Sequence, residues 1–370
     1  MKKFVPSSQH SPLEDWPQYV IFDYGELEKF VVQMNLGDME STARALVAPG
    51  KGILAADESS GTIEKRFKSI GVASTEENRR AYRELLFATP GLGESISGVI
   101  LFDETLRQKA SDGTPFVELL KKQGIVPGIK VDKGTKALAG FPGEKITEGL
   151  DGLGERLAEY VKLGARFTKW RAVITIGPGI PTRTCLQANA HALARFAALS
   201  QEAGLMPIVE PEVLMDGAHA IEWHFEVTVA ALKLVFEELF EHRVALEVML
   251  LKPNMVVSGK DCPRQASVKE AAEMTLRCLR QAVPAAVPGV VFLSGGQSDT
   301  QATEHLNEMN RLDNTPWQLS FSFGRALQAP ALKSWKGDPK NIKAAQTALH
   351  HRARCNSAAR SGKYESEMER

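Results

Sequence analysis

The sequence predicts an α/β protein built as a single (β/α)₈ barrel, on three observations. Eight short apolar or β-rich runs recur along the 370 residues. Amphipathic helical patterns fill most of the gaps between them. Charged residues fall again and again at the C-terminal ends of those runs, where such a barrel gathers its functional side chains. A doubly wound open sheet is the competing arrangement, but no Gly-x-Gly-x-x-Gly follows the first run.

The first run, GILAADE (52–58), ends at Asp57. Ile63, Phe67 and Ile70 then fall at i, i+4 and i+7, with Gly71 as a stop, which predicts a helix. Ser74 and Glu77 have capping-box spacing at the start of STEENRRAYRELLF, a second helix. GVILFDE (98–104), IVPGIKV (125–131) and ARFTKWRAV (165–173) follow as strands, ending at Asp103, Lys130, and Lys169 with Arg171. HALARFAALSQEAG reads as a helix and leads into LMPIVEPEV (205–213), with Glu210 and Glu212. FEVTVAALKLVFEELFEH precedes VMLLKPNMV (248–256), which carries Lys252. SVKEAAEMTLRCLRQA leads to GVVFLSGG (289–296), and TEHLNEMNRL to WQLSFSFG (317–324), with Arg325 just beyond. Residues two apart on a strand share a face, so Lys169 points with Arg171 and Glu210 with Glu212.

Composition bounds the class. Forty-three per cent of the chain is hydrophobic, enough for a large core, and 45 basic residues balance 45 acidic ones. That balance leaves no footprint for nucleic acid or an anionic membrane surface. Cys185, Cys262, Cys278 and Cys355 are scattered, which fits a reducing cytoplasm. The start MKKFVPSSQHSPLEDW lacks the apolar stretch of a signal peptide, and no run is long enough to span a bilayer.

The strand ends carry the chemistry. Lys252 follows apolar residues, and Pro253 limits its strand by withholding an N–H. Lys130 and Lys169 are expected as cationic neighbours. Desolvation and like charge lower a lysine pKa and yield the free amine that attacks a carbonyl, so Lys252 reads as a Schiff-base nucleophile. Glu210 and Glu212 beside lysines read as general acid/base candidates, because iminium chemistry needs proton transfers. Asp57 reads as a base near substrate hydroxyls, or as a helix cap. LSGGQ after strand seven and SFGRAL after strand eight form the usual barrel phosphate site, with Arg325 supplying a fork of donors. Lys130 and the hydroxyl-rich SSGT (59–62) offer a second phosphate site across the rim. No metal site is expected. His219 and His224 are five apart, without helical zinc spacing, and His350-His351 reads as surface.

GKGILAADES, STEENRRAYRELL, GVILFDETL, GIKVDKG, KWRAV, PIVEPEVL, LLKPNMV, FLSGGQS and FSFGRALQ together resemble class I fructose-1,6-bisphosphate aldolase, in order from about Ala43 to Tyr364. The resemblance implies a metal-independent, cofactor-free cytoplasmic lyase of glycolysis and gluconeogenesis, usually a homotetramer. Such an enzyme cleaves fructose 1,6-bisphosphate reversibly into dihydroxyacetone phosphate and glyceraldehyde 3-phosphate. It further implies Lys252 as the Schiff-base lysine, Glu210 as acid/base with Glu212 as electrostatic support, and Asp57 and Lys169 as aids to cleavage. Arg66 and Arg171 are implied to bind substrate. Ser294, Gly295, Gly324 and Arg325 match the C1-phosphate site, and Ser59, Thr62 and Lys130 the far one. Residues 1–24 are expected as an N-terminal extension and 25–370 as the barrel segment. The family's mobile tail ends in a tyrosine, whereas Tyr364 aligns before that tail and is expected to take no part in proton exchange. The alternatives are another Schiff-base barrel enzyme, or a secondary binding or scaffold role.

Overall fold

The computed structural model describes residues 36–312 and 315–370; the expected extension 1–24 and the start of the expected barrel segment lie outside them. Among the described residues the strands are β1 (Gly52–Ala56), β2 (Ile96–Leu101), β3 (Val126–Lys130), β4 (Thr135–Ala137), β5 (Lys145–Thr147), β6 (Phe167–Ile174), β7 (Met206–Val213), β8 (Leu250–Leu251), β9 (Gly289–Phe292) and β10 (Gln318–Phe323). All but β4 and β5 close into one parallel barrel in the order β1-β10-β9-β8-β7-β6-β3-β2. Each expected run is thus a barrel strand, next to its neighbour in sequence. Every residue of β1, β2, β7 and β9 is buried. Helices cover the outer face and side chains fill the inner one, which is why these strands read as apolar runs rather than as alternating patterns.

Three local expectations are corrected. β8 is two residues long, not the whole of 248–256, because a 3₁₀ turn at Leu246–Val248 precedes it and Pro253 stops it. The pairing continues for one more bond, from the Lys252 amide to the Val209 carbonyl at 2.8 Å. Asp103 does not end a strand; it opens a short helix, Asp103–Arg107, and pairs with Arg107 at 2.9 Å. The helix Glu76–Phe87 is capped by Thr75, whose hydroxyl accepts from the Asn78 amide at 3.1 Å, and not by Ser74. β4 and β5 form an antiparallel hairpin that was not expected.

The N-terminal end of the barrel is plugged. A Cβ on Gly128 would come within 2.3 Å of the Phe167 ring, one on Gly98 within 2.3 Å of Leu46, and one on Gly289 within 2.5 Å of Val47. The Phe167 ring is fully buried and lies on the strand adjacent to Gly128. Glycine is needed there because the ring occupies the place of a side chain. Outside the barrel, Trp170 of β6 stacks on Phe196 of the helix Arg183–Glu202 with 5.7 Å between ring centroids. Trp170 therefore faces out, which turns its neighbours Lys169 and Arg171 inward.

Candidate active site

The C-terminal ends of the strands surround a cleft of about 1160 Å³. Asp57, Ser59, Thr62, Arg66, Lys130, Lys169, Arg171, Glu210, Glu212, Lys252, Ser294, Gly295, Gly324 and Arg325 all line it. Register explains the proximity. Lys130 sits opposite Lys169 across β3–β6, and Arg171 opposite Glu210 across β6–β7.

At its centre two lysines share one glutamate. Lys252 Nζ lies 3.2 Å from Glu210 Oε1, and Lys169 Nζ lies 3.1 Å from Glu210 Oε2. Lys169 also reaches Asp57 Oδ2 at 2.7 Å and Asp132 Oδ2 at 3.9 Å. Lys252, Lys169 and Glu210 are each no more than 3% exposed, so these charges interact with little screening. Burial alone would depress the Lys169 pKa, but Asp57, Glu210 and Asp132 outweigh it and hold the ammonium well above the usual lysine range. Burial alone would raise Asp57, but Lys169, Lys252 and Lys130 outweigh it and hold the carboxyl far below the usual range. Lys169 and Asp57 are thereby fixed as an ion pair. Lys252 has a carboxylate beside it, shared with the expected cation Lys169. Glu210 Oε2 has no aligned hydrogen-bond donor, which leaves that carboxylate less tied than Asp57. Nearer the rim, Arg171 Nε donates to Glu212.

The two phosphate candidates sit at opposite sides of this centre in sequence and share the cleft. After β9, Gly295 and Gly296 follow Ser294 with φ of +58° and +101°, backbone that side-chained residues avoid. After β10, Gly324 caps the helix Arg325–Trp335, whose N-terminus favours an anion. Burial pushes Arg325 below the usual arginine range; Arg66 and Arg171 push the same way, against Glu212 and Asp216. After β1, Ser59 stands at the N-cap position of the helix Ser60–Lys68 without a side-chain capping bond, and its hydroxyl lies 3.2 Å from that of Thr62.

Two buried acids were missed by sequence reasoning. Asp132 pairs with Lys130 at 2.6 Å, accepts from the Gly134 amide at 3.1 Å and the Arg171 amide at 3.3 Å, and so braces two strands of the site. Its signal was present: Lys130 and Asp132 are two apart in GIKVDKG. Glu58 binds Arg66 and, at 2.7 Å, Arg83, and it accepts from Gln328 at 2.9 Å. Nothing in spacing reveals that set, which joins three elements. Two clusters of possible metal ligands come together among the described residues, His191–Glu238–His242 and His351–Cys355–Glu369, and none of the six lines the cleft. His224 is fully buried, with Nδ1 accepting from the Val257 amide at 2.9 Å and Nε2 donating to the Val213 carbonyl at 3.2 Å. Tyr364 is also away from the cleft, donating to Glu369 at 2.7 Å and bonded through its backbone to Asn307.

A family model described as fructose-bisphosphate aldolase class-I matches residues 38–370. The chain is 59% identical over 332 residues to a protein of Xanthomonas axonopodis pv. citri named probable fructose-bisphosphate aldolase class 1, covering 90% of this chain and 99% of that one. It is 57% identical to fructose-bisphosphate aldolase 1 of Toxoplasma gondii, covering 88% and 91%. A solved structure of fructose-bisphosphate aldolase from Plasmodium falciparum, in complex with TRAP and a small-molecule inhibitor, superposes with a TM-score of 0.88 at 51% identity, covering 89% of this chain and 96% of that one.

Proposed function

This chain belongs to the class-I fructose-bisphosphate aldolases, a family that cleaves fructose 1,6-bisphosphate reversibly through a lysine Schiff base, and from that premise we propose that Lys252 is the lysine concerned. The observation that carries the assignment is the buried Lys252–Glu210–Lys169 bridge. Lys252 Nζ attacks the ketone carbon to form a carbinolamine. Glu210, 3.2 Å from that nitrogen, takes the proton released by the amine and returns one to the leaving hydroxyl, so that water departs and an iminium remains. Lys169, held as a cation, stabilises the charge on these groups. Asp57, held as an anion, takes the proton of the C4 hydroxyl. The C3–C4 bond then breaks, its electron pair flows to the iminium nitrogen, and glyceraldehyde 3-phosphate and an enamine result. A proton delivered to C3 by Glu210 or by the substrate's own phosphate, followed by addition of water, frees dihydroxyacetone phosphate and the amine.

Arg325, Ser294, Gly295 and Gly324 bind the C1 phosphate in this reading. Ser59, Thr62 and Lys130 bind the far one, and Arg66 and Arg171 orient the chain between them. Glu212 supports Glu210 electrostatically and holds Arg171. Borohydride added with dihydroxyacetone phosphate should reduce a covalent adduct onto Lys252 and abolish activity; an adduct on Lys169 or Lys130 would overturn the assignment.

We also place the enzyme in the cytoplasm as a homotetramer. Arabidopsis thaliana relatives at 56% and 55% identity are named cytosolic. The helix Ile221–Glu241 leaves Phe240 73% and Trp223 48% exposed, apolar surface that an assembly would cover. Sedimentation of the purified chain tests the tetramer.

A further inference from the structure

The loops that follow β7 and β8 lie backbone to backbone at the mouth. The Gly259 amide donates to His219 at 2.9 Å, Lys260 to Met215 at 2.8 Å and Asp261 to Gly217 at 2.9 Å. A Cβ on Gly259 would come within 2.3 Å of the Gly217 carbonyl oxygen, so only glycine permits this approach. The ladder fixes where Lys260 emerges. Its Nζ lies 3.2 Å from the place a Gly296 Cβ would take, and Arg325 Nη2 lies 3.3 Å from that same point. Two cations therefore stand over one glycine of the Ser294–Gly295–Gly296 turn. Lys260 is meanwhile held by Asp216, with Nζ 2.7 Å from Oδ1, and both side chains are partly exposed at 40% and 59%. An exposed pair of this kind contributes little to stability. Its position beside the phosphate turn calls for another explanation.

We propose that Lys260 is a second cation for the phosphomonoester dianion at the C1 end of the substrate, stored on Asp216 in the free enzyme and transferred to the phosphate on binding. The inference rests on the assignment of the C1-phosphate site above. A phosphomonoester carries nearly two negative charges at neutral pH, and Arg325 supplies one positive charge. Lys260 supplies the second. Its long, flexible stem suits a switch between two oxyanions, where a planar guanidinium would hold one geometry. Asp216 keeps the free loop pair neutral, so the site does not hold two uncompensated cations when empty of anion. Lys260 escaped sequence reasoning because it sits eight residues past Lys252, beyond the strand end, and only the loop pairing returns it to the rim.

The test compares borohydride trapping by dihydroxyacetone phosphate with trapping by dihydroxyacetone, which lacks the phosphate. Lys260→Ala should raise the half-saturating concentration of the phosphate ester roughly tenfold and leave the dependence on dihydroxyacetone as in the native enzyme. Lys260→Arg should recover most of the loss, and Asp216→Asn should lower the half-saturating concentration. An unchanged concentration for the ester in Lys260→Ala would overturn the proposal. So would an equal loss for both ketones, which marks a structural role, or a weaker ester response in Asp216→Asn, which rules out storage. Failure of the Schiff-base assignment is distinguishable, because it shows in the native enzyme as an adduct on another lysine, whereas the Lys260 comparison needs only that an adduct form.

Discussion

Arg325 shows what a single residue contributes when its neighbours share its charge. Burial and the nearby Arg66 and Arg171 disfavour its cation, so an anion bound there relieves an existing cost. Arg325→Ala should raise KM for phosphorylated substrates about tenfold or more, the loss of one charge-assisted hydrogen bond. An unchanged KM would move the phosphate elsewhere. The central charges are set differently: Lys169 and Asp57 neutralise each other, and Glu210 shares both lysines. The lysines and acids at strand ends were legible in the sequence because a parallel barrel collects every strand end at one rim. Asp132 and Glu58 were less so, because their hydrogen bonds and ion pairs go to neighbouring protein groups drawn from other parts of the chain. Glu58 in particular meets Arg66 from its own helix region, Arg83 from the next helix and Gln328 from the last barrel helix. No local spacing encodes such a meeting.

Single elements show why boundaries were harder to read than strands. Ser74 and Thr75 are adjacent hydroxyls, and capping-box spacing chose the first. The helix uses the second, and Ser74 Oγ is buried without a partner. Thr75→Ala should therefore cost about 1 kcal/mol, the usual worth of a cap. Ser74→Ala should cost nothing or gain slightly; urea unfolding of both variants measures the difference. The β4–β5 hairpin was invisible for a related reason: β4 is exposed along its whole length and leaves no apolar run to find. His224 acts at this scale too, tying the end of β7 to the segment after β8. Burial pushes its pKa down to about 4, from an ordinary 6.5. Burial also pushes that of His305 down to about 4. Between those values the unfolded chain takes up protons that the folded chain refuses, so stability is full above pH 6.5 and is lost as pH falls towards 4. The urea midpoint should drop across that window. His224→Gln, which keeps a donor and an acceptor without titrating, should flatten the slope; a slope unchanged in the variant would remove His224 as a cause.

For the whole molecule, the order of the barrel strands and the gathering of the site follow from one rule, that buried parallel strands are largely apolar and carry their few charges on the inner face, where they converge on the cleft. The plug at the opposite end was not legible, since a glycine in a strand gives no hint of which ring will cover it. Gly128→Ala should press on Phe167 and lower stability by roughly 1–3 kcal/mol, the usual cost of overpacking, with a lower Tm. An unchanged Tm would mean that the ring can move aside. The plug also governs traffic. A barrel sealed at its base is a room with one door, and both products of a cleavage must use it. One of them is still bonded to a buried lysine when the other is already free. The free aldehyde departs first, the tethered ketone half leaves last, and in the reverse direction the queue is inverted: the ketone must enter and be tied down before the aldehyde closes the doorway behind it.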